Sequence, residues 1–248
     1  MERSAPVSAD DHALSWKHFF TSAGSGFSSV EATGLGYAVA LVRDGFASRP
    51  AALDPLRGGL ADGAGGRVAP RFPASGSAPD APDATARVAM ATAVLRGMSL
   101  MHDFAPIVAF IGHGATTANN PHAAGLACGA CGGQSGEVNA RVLASLLNES
   151  AVRAGLADAG IHVPPSAFFV PGLHNTVTDE IRLFDVDDVV ESHRAAVDAF
   201  RTALVAGSAA ARRERAPLLG LEKAARDDAR LLSAVRKRAA DWSEVRPE

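Results

Sequence analysis

Apolar positions recur along this chain in two rhythms, and each predicts a different kind of element. Asp83 has a side chain suited to accept a hydrogen bond from a first-turn N–H. Val88, Ala91, Leu95 and Met98 follow it at intervals of three and four, which predicts a helix to about Met101. "PIVAFIGHG" (106–114) is instead an unbroken apolar run bounded by proline and glycine. A strand covered on both faces, as in a parallel sheet flanked by helices, reads this way. "SAFFVPGLHNT" (166–176) predicts a second strand ending in a polar loop, and "EIRLFDV" (180–186) a third. Between the first two strands, Ser135 is placed to cap a helix with Val138, Val142 and Leu146 along one stripe, ending at Gly155 or Gly160. Residues 187–205 and about 221–240 read as amphipathic helices, the second burying Leu221, Ala225, Leu232 and Val235. Helices alternating with strands make the fold class α/β.

Four segments follow from this pattern. Residues 1–46 form an N-terminal helical segment, in which Glu31 to Asp44 is a short helix that Gly34 and Gly36 allow to pack closely. Residues 47–83, rich in Ala, Gly, Pro, Arg and Asp without apolar periodicity, read as a flexible linker. Residues 84–186 hold the α/β core and 187–248 a C-terminal helical region. No internal repeat is visible.

Composition narrows the function classes. A chain of 248 residues can bury a substantial core. A net charge of -3 gives no footprint for nucleic acid. The longest apolar runs, "YAVALV" (37–42) and "IVAFI" (107–111), fall far short of the ~20 residues of a membrane span. "MERSAPVSADDHALSW" lacks the apolar centre of a signal peptide. Two cysteines spaced C-x-x-C then point to a reducing compartment, with metal or redox roles ahead of a structural disulfide.

Both cysteines lie in "GHGATTANNPHAAGLACGACGG" (112–133). His113 directly follows the first strand, so it belongs at the strand's carboxyl end, where open α/β sheets bind ligands. Cys128 and Cys131 precede a helix N-terminus, whose partial positive charge favours thiolate. Thiolates and neutral imidazole are zinc donors. Three readings stay open: a zinc site, a dithiol redox pair, or two inert thiols. His102, His122, His174 and Asp179 are further candidates, with His122 reading as a surface-loop residue and His174 as a side chain ordering its loop by hydrogen bonds. His12, His18, His162 and His193 read as surface or helix-packing residues. Residues 211–239 carry nine Lys or Arg against four Asp or Glu. Their cluster Arg236, Lys237 and Arg238 reads as a solvated face, or as a docking surface for a membrane partner or anionic lipid.

The block from Gly112 to Asn148, together with "HNTVTDEIRLFD", "GSGFSSVEATG" and the closing "DWSEVRPE", resembles the DabA family. DabA is the large soluble subunit of a two-component bacterial pump for inorganic carbon. The resemblance runs from about Ser15 to Glu248. It implies a β-carbonic-anhydrase-like core, a parallel sheet with flanking helices, and one Zn2+ held by two Cys, one His and one Asp. Carried onto this sequence, His113 and Cys128 are two of those ligands, and Cys131 is structural or supports them from behind. The family's other two ligands come from an upstream Cys-x-Asp motif, which this sequence does not contain. The chain therefore reads as a middle-to-C-terminal piece, with another chain as one conceivable source of the missing donors. The resemblance further implies CO2 hydration to bicarbonate in the complete family protein and not in this chain by itself. It implies coupling to a DabB-like membrane subunit, and a peripheral position on the cytoplasmic face of the cell inner membrane. The alternatives are a non-catalytic relic that keeps a binding surface, and a redox protein using the C-x-x-C dithiol.

Overall fold

A computed structural model describes residues 70–72, 81–117, 120, 122–129, 134–241, 244 and 246, with isolated positions 34, 38, 39 and 42. Those four positions are helical, in keeping with the helix expected over 31–44, the rest of which lies outside the described residues, as does almost all of the linker.

The described core is α/β. Its elements in chain order are α1 (Ala84–Gly97), β1 (Ile107–Gly114), α2 (Ala123–Leu126), α3 (Glu137–Asn148), α4 (Ser150–Asp158), β2 (Phe168–Asn175), β3 (Ile181–Leu183), α5 (Glu191–Arg215) and α6 (Asp228–Ala240). The sheet has the order β1-β2-β3. β1 and β2 are parallel over their whole length, from Ile107 opposite Phe168 to Gly114 opposite Asn175. β3 is antiparallel to β2 and pairs only with Gly172, Leu173 and His174. A crossover through α3 and α4 joins the parallel pair, whereas the short polar turn after β2 permits only an antiparallel return.

Strand alternation assigns the two faces. Val108, Phe110 and Phe169 join a core with Leu95, Ala144, Leu147, Val152, Leu156 and Ile161 from α1, α3, α4 and the loop after α4. Ile107, Phe168, Val170 and Leu183 face Val189 and Val197, on the α5 side. Phe110 stacks on Phe169 with ring centroids 5.7 Å apart. β1 stands at the edge of the described sheet and is half-buried, with Ile111 exposed, while β2 carries the buried centre.

Several local expectations are corrected. α1 starts where its cap predicts, the Asp83 carboxylate accepting from Ala86 N at 2.7 Å. It ends at Gly97, because Ser99 takes a left-handed conformation (φ 56°). Of the stripe expected on α3, Leu146 is buried, Val142 only half-buried and Val138 exposed, and the other inward positions are Glu137, Ala140, Arg141, Ala144 and Leu147. Small residues at 140 and 144 let the helix lie close to the sheet. Gly136, not Ser135, occupies the N-cap position, although the Ser135 hydroxyl still accepts from Glu137 N at 3.2 Å.

The helix expected to run on to Gly155 or Gly160 is two helices. Glu149 is extended (ψ 126°) between them, and its carboxylate holds Arg87 of α1 at 2.8 and 3.0 Å. Gly155 sits inside α4, where a Cβ would come within 2.4 Å of Val88 Cγ2. Asn148, last in α3, donates to the Phe169 carbonyl at 2.8 Å and accepts from Phe169 N at 3.1 Å. It thereby satisfies β2 backbone groups that the short β3 does not reach.

In the C-terminal region Leu231 and Val235 are buried with Ala216, and Leu232 is only half-buried. Arg236 is ion-paired with Glu180, and Arg238 with Glu244 at 2.9 Å. Two of the three residues of the basic cluster are therefore engaged within the chain, as in a solvated, internally paired face.

Candidate functional site

The carboxyl ends of β1 and β2 are built from two glycine contacts and a clasp of side chains. Gly112 lies against Gly136 at the start of α3, so closely that a Cβ on Gly112 would be 2.4 Å from the Gly136 carbonyl oxygen. A Cβ on Gly136 would in turn be 3.0 Å from His113 N, and Gly136 N donates to the His113 carbonyl at 2.9 Å. The helix start thus rests directly on the strand backbone at His113. Thr176, just past β2, donates from its N–H to the Gly114 carbonyl at 2.8 Å, and its hydroxyl reaches Leu126 O of α2 at 3.0 Å. Asn175 Nδ2 donates to Thr116 Oγ1 at 2.7 Å. These bonds fasten the loop after β1 to the loop after β2. The returning chain is closed by Cys128 N donating to the Gln134 carbonyl at 3.0 Å.

The result puts His113 and Cys128 on the lining of one open cavity of about 240 Å³ at the edge of β1, with Phe110, Gly112 and Asn139 from the α3 side. Strand alternation sends the His113 side chain off β1 toward the α5 side of that edge. His113 is exposed and Cys128 half-buried. Neither of the other loop candidates joins them. His122 is exposed, its N–H accepted by Asn120 Oδ1 at 2.7 Å. His102 is exposed and paired with Asp103 at 2.7 Å. Cys131 lies outside the described residues.

His174 is the registered neighbour of His113 across the parallel pair. Its Nε2 lies 3.3 Å from Asp179 Oδ1. Asp179 is buried in a left-handed conformation (φ 56°) and its other carboxylate oxygen accepts from Arg215 of α5. Arg212, buried one turn earlier on α5, donates to the Thr178 carbonyl at 3.1 Å. At the same turn, the Glu180 carboxyl loses solvation by partial burial, yet the bonds from Arg236 outweigh this and hold it below the usual glutamate range. Sequence patterning singled out His174 and Asp179 but missed Arg215, Arg212, Thr116, Asn175 and Gly136. Only Gly136, next to a predicted helix cap, carried a local signal.

A larger cavity of about 390 Å³ lies on the α3 side, lined by Arg141, Asn148, Glu149 and Asp185 among others. Its charges are matched internally. Arg141 donates to Asp185 at 2.6 and 2.9 Å and to Glu137 at 2.9 Å. Burial works against the Arg141 guanidinium, but these two carboxylates hold its pKa above the ordinary value.

A family model described as "Probable inorganic carbon transporter subunit DabA" matches residues 3–248. The chain belongs to the DabA family. Relatives named as probable inorganic carbon transporter subunit DabA include one from Bradyrhizobium sp. (strain ORS 278), 47% identical over 235 residues. Others come from Ectopseudomonas mendocina, 47% identical over 236 residues, and Acidithiobacillus ferrooxidans, 40% identical over 241 residues. Each alignment takes in 94% or 95% of this chain but only 28% or 29% of the relative. No solved structure matches.

The DabA resemblance implies zinc, and the donor set can be weighed against that. A thiol and an imidazole on one cavity are donors zinc takes, but a structural or catalytic zinc needs at least three protein ligands. Among the described residues no group of three or more His, Cys, Asp or Glu is placed to hold a metal ion. These residues do not make a zinc site by themselves.

Proposed function

We propose that this chain supplies the His113–Cys128 half of an inorganic carbon site in a DabA transporter subunit. The observation that carries this reading is that a strand end and a returning loop bring His113 and Cys128 to one cavity. It is supported by the family match over residues 3–248 and by the printed name of the relatives, a transporter subunit for inorganic carbon. Zinc-dependent, carbonic-anhydrase-like interconversion of CO2 and bicarbonate belongs, on this reading, to a complete four-donor site. The two missing donors come from outside the described residues, from the rest of such a subunit or from a second chain.

A subunit implies a partner. No described helix is long and apolar enough to cross a membrane. The proposed arrangement is a peripheral one, at the cytoplasmic face of the inner membrane, against a DabB-like membrane subunit that couples uptake to an ion gradient.

The test uses a bacterial host that needs elevated CO2 for growth. Expression of the whole subunit carrying this sequence, with its membrane partner, restores growth in air and uptake of labelled bicarbonate. His113→Ala or Cys128→Ser abolishes both while protein levels hold. Rescue that survives both substitutions overturns the proposal.

A further inference from the structure

We infer that His174 is a ligand-binding side chain beside His113, and that Asp179, locked by Arg215, is the positioning residue that makes its free ring nitrogen a hydrogen-bond acceptor for a hydroxyl group. The inference rests on the inorganic carbon reading for the identity of the ligand, a bicarbonate ion bound through its O–H. The positioning role does not depend on that reading.

Three observations carry it. First, His113 and His174 are directly opposite each other in a parallel pair, so their side chains leave the sheet on the same face, one strand spacing apart, about 4.8 Å. That face is the α5 side by strand alternation, and α5 supplies Arg215. Second, the ring of His174 is held at one nitrogen only. Nε2 meets Asp179 Oδ1 at 3.3 Å, Nδ1 makes no hydrogen bond to another described residue, and the side chain is 34% exposed. Third, Asp179 is over-determined. Its N–H donates to the Asn175 carbonyl at 2.8 Å, one carboxylate oxygen faces His174, and the other accepts from Arg215. A left-handed backbone at a non-glycine residue is unfavourable and persists where surrounding bonds enforce it.

The chemistry follows from the donor inventory. A carboxylate that already accepts from a guanidinium only accepts, so the nitrogen facing it must carry the ring proton. The neutral ring of His174 is then the Nε2–H tautomer, and Nδ1 presents a lone pair. The same carboxylate–imidazole arrangement fixes ring orientation wherever a histidine must meet a ligand in one way. An acceptor suits a ligand that brings a hydroxyl, as bicarbonate does and carbonate does not. Thr116, Asn175 and Thr176 hold the two loops together behind the pair, so the spacing is set by the fold.

The experiment is nitrogen–proton correlation NMR of the histidine rings in the intact chain, with and without bicarbonate. The parent is expected to show His174 as the Nε2–H tautomer, and Asp179→Asn, which tolerates the left-handed backbone, is expected to shift it toward Nδ1–H. Bicarbonate is expected to shift the His174 and His113 resonances in the parent, with the His113 shift reduced at least severalfold in His174→Ala. Backbone amide spectra confirm that each variant is folded; if Asp179→Asn is not, Arg215→Gln takes its place and is expected to loosen the tautomer in the same direction. A parent His174 in the Nδ1–H form overturns the positioning role whatever the ligand. The right tautomer without any bicarbonate-induced shift overturns the binding role. Neither result bears on whether His113 and Cys128 form half of a zinc site, which the growth and uptake test decides separately.

Discussion

Gly112 and Gly136 touch backbone to backbone, and this contact sets the start of α3 on the end of β1, with His113 directly beside it. A methyl group on Gly112 meets the main chain of Gly136, not a flexible side-chain tip, so the strand or the helix must move. Gly112→Ala is expected to lower stability by about 1–3 kcal/mol, the usual cost of overpacking. It is also expected to disturb Cys128, which shares the cavity. Urea unfolding reads the first effect and the rate of thiol modification at Cys128 the second. Parent-like values of both would show that the contact is slack.

A second prediction concerns the charges beneath α3. Glu137 and Arg141 are almost completely buried, and Asp185 completes their network from the loop after β3. Arg141→Ala leaves two carboxylates facing a vacated space, and a buried pair broken from one side costs about 3–5 kcal/mol. Arg141→Lys is expected to recover only part of this, because an ammonium cannot serve Glu137 and the two oxygens of Asp185 with the same fork geometry. The measurement is the midpoint of chemical unfolding for both variants. Equal stability of Arg141→Ala and the parent contradicts the assignment.

Acid sensitivity is the third. Arg236 holds the Glu180 carboxyl below its ordinary value despite the opposing effect of partial burial. A folded-state pKa lower than the unfolded one contributes stability above the unfolded value, and that contribution is lost as pH falls through the folded one. The window therefore opens at the ordinary glutamate pKa and extends downward. Arg236→Gln is expected to lower stability at neutral pH and to flatten the acid limb of a stability–pH profile over that window. An acid limb of unchanged slope would contradict the role given to this pair.

Much of this architecture was legible in the residues, for reasons that differ by element. Asp83 announced α1 because capping is local chemistry. β1 and β2 were legible as apolar runs closed by Gly-His-Gly and by His-Asn-Thr, and both histidines stood at the strand ends where ligands are met. α3 was misread in its first two turns, where the inward positions are Ala140, Ala144 and the paired Glu137 and Arg141 while the more apolar Val138 faces solvent; Leu146 is inward as expected. The break at Glu149 carries neither glycine nor proline, and the contact made there, the ion pair with Arg87 of α1, is tertiary and so invisible to local patterning. Arg215 stayed hidden in "ARRER" because nothing local distinguishes the arginine that crosses to Asp179 from its neighbours.

The central claim, that His113 and Cys128 together form part of a metal site and do not complete one, is tested most directly by titrating the purified, reduced chain with cobalt(II) as a spectroscopic stand-in for zinc. The account predicts weak binding that gel filtration strips away, with a thiolate-to-cobalt charge-transfer band that disappears in Cys128→Ser and weakens in His113→Ala. A tightly held, stoichiometric metal, or a charge-transfer band that survives Cys128→Ser, contradicts it.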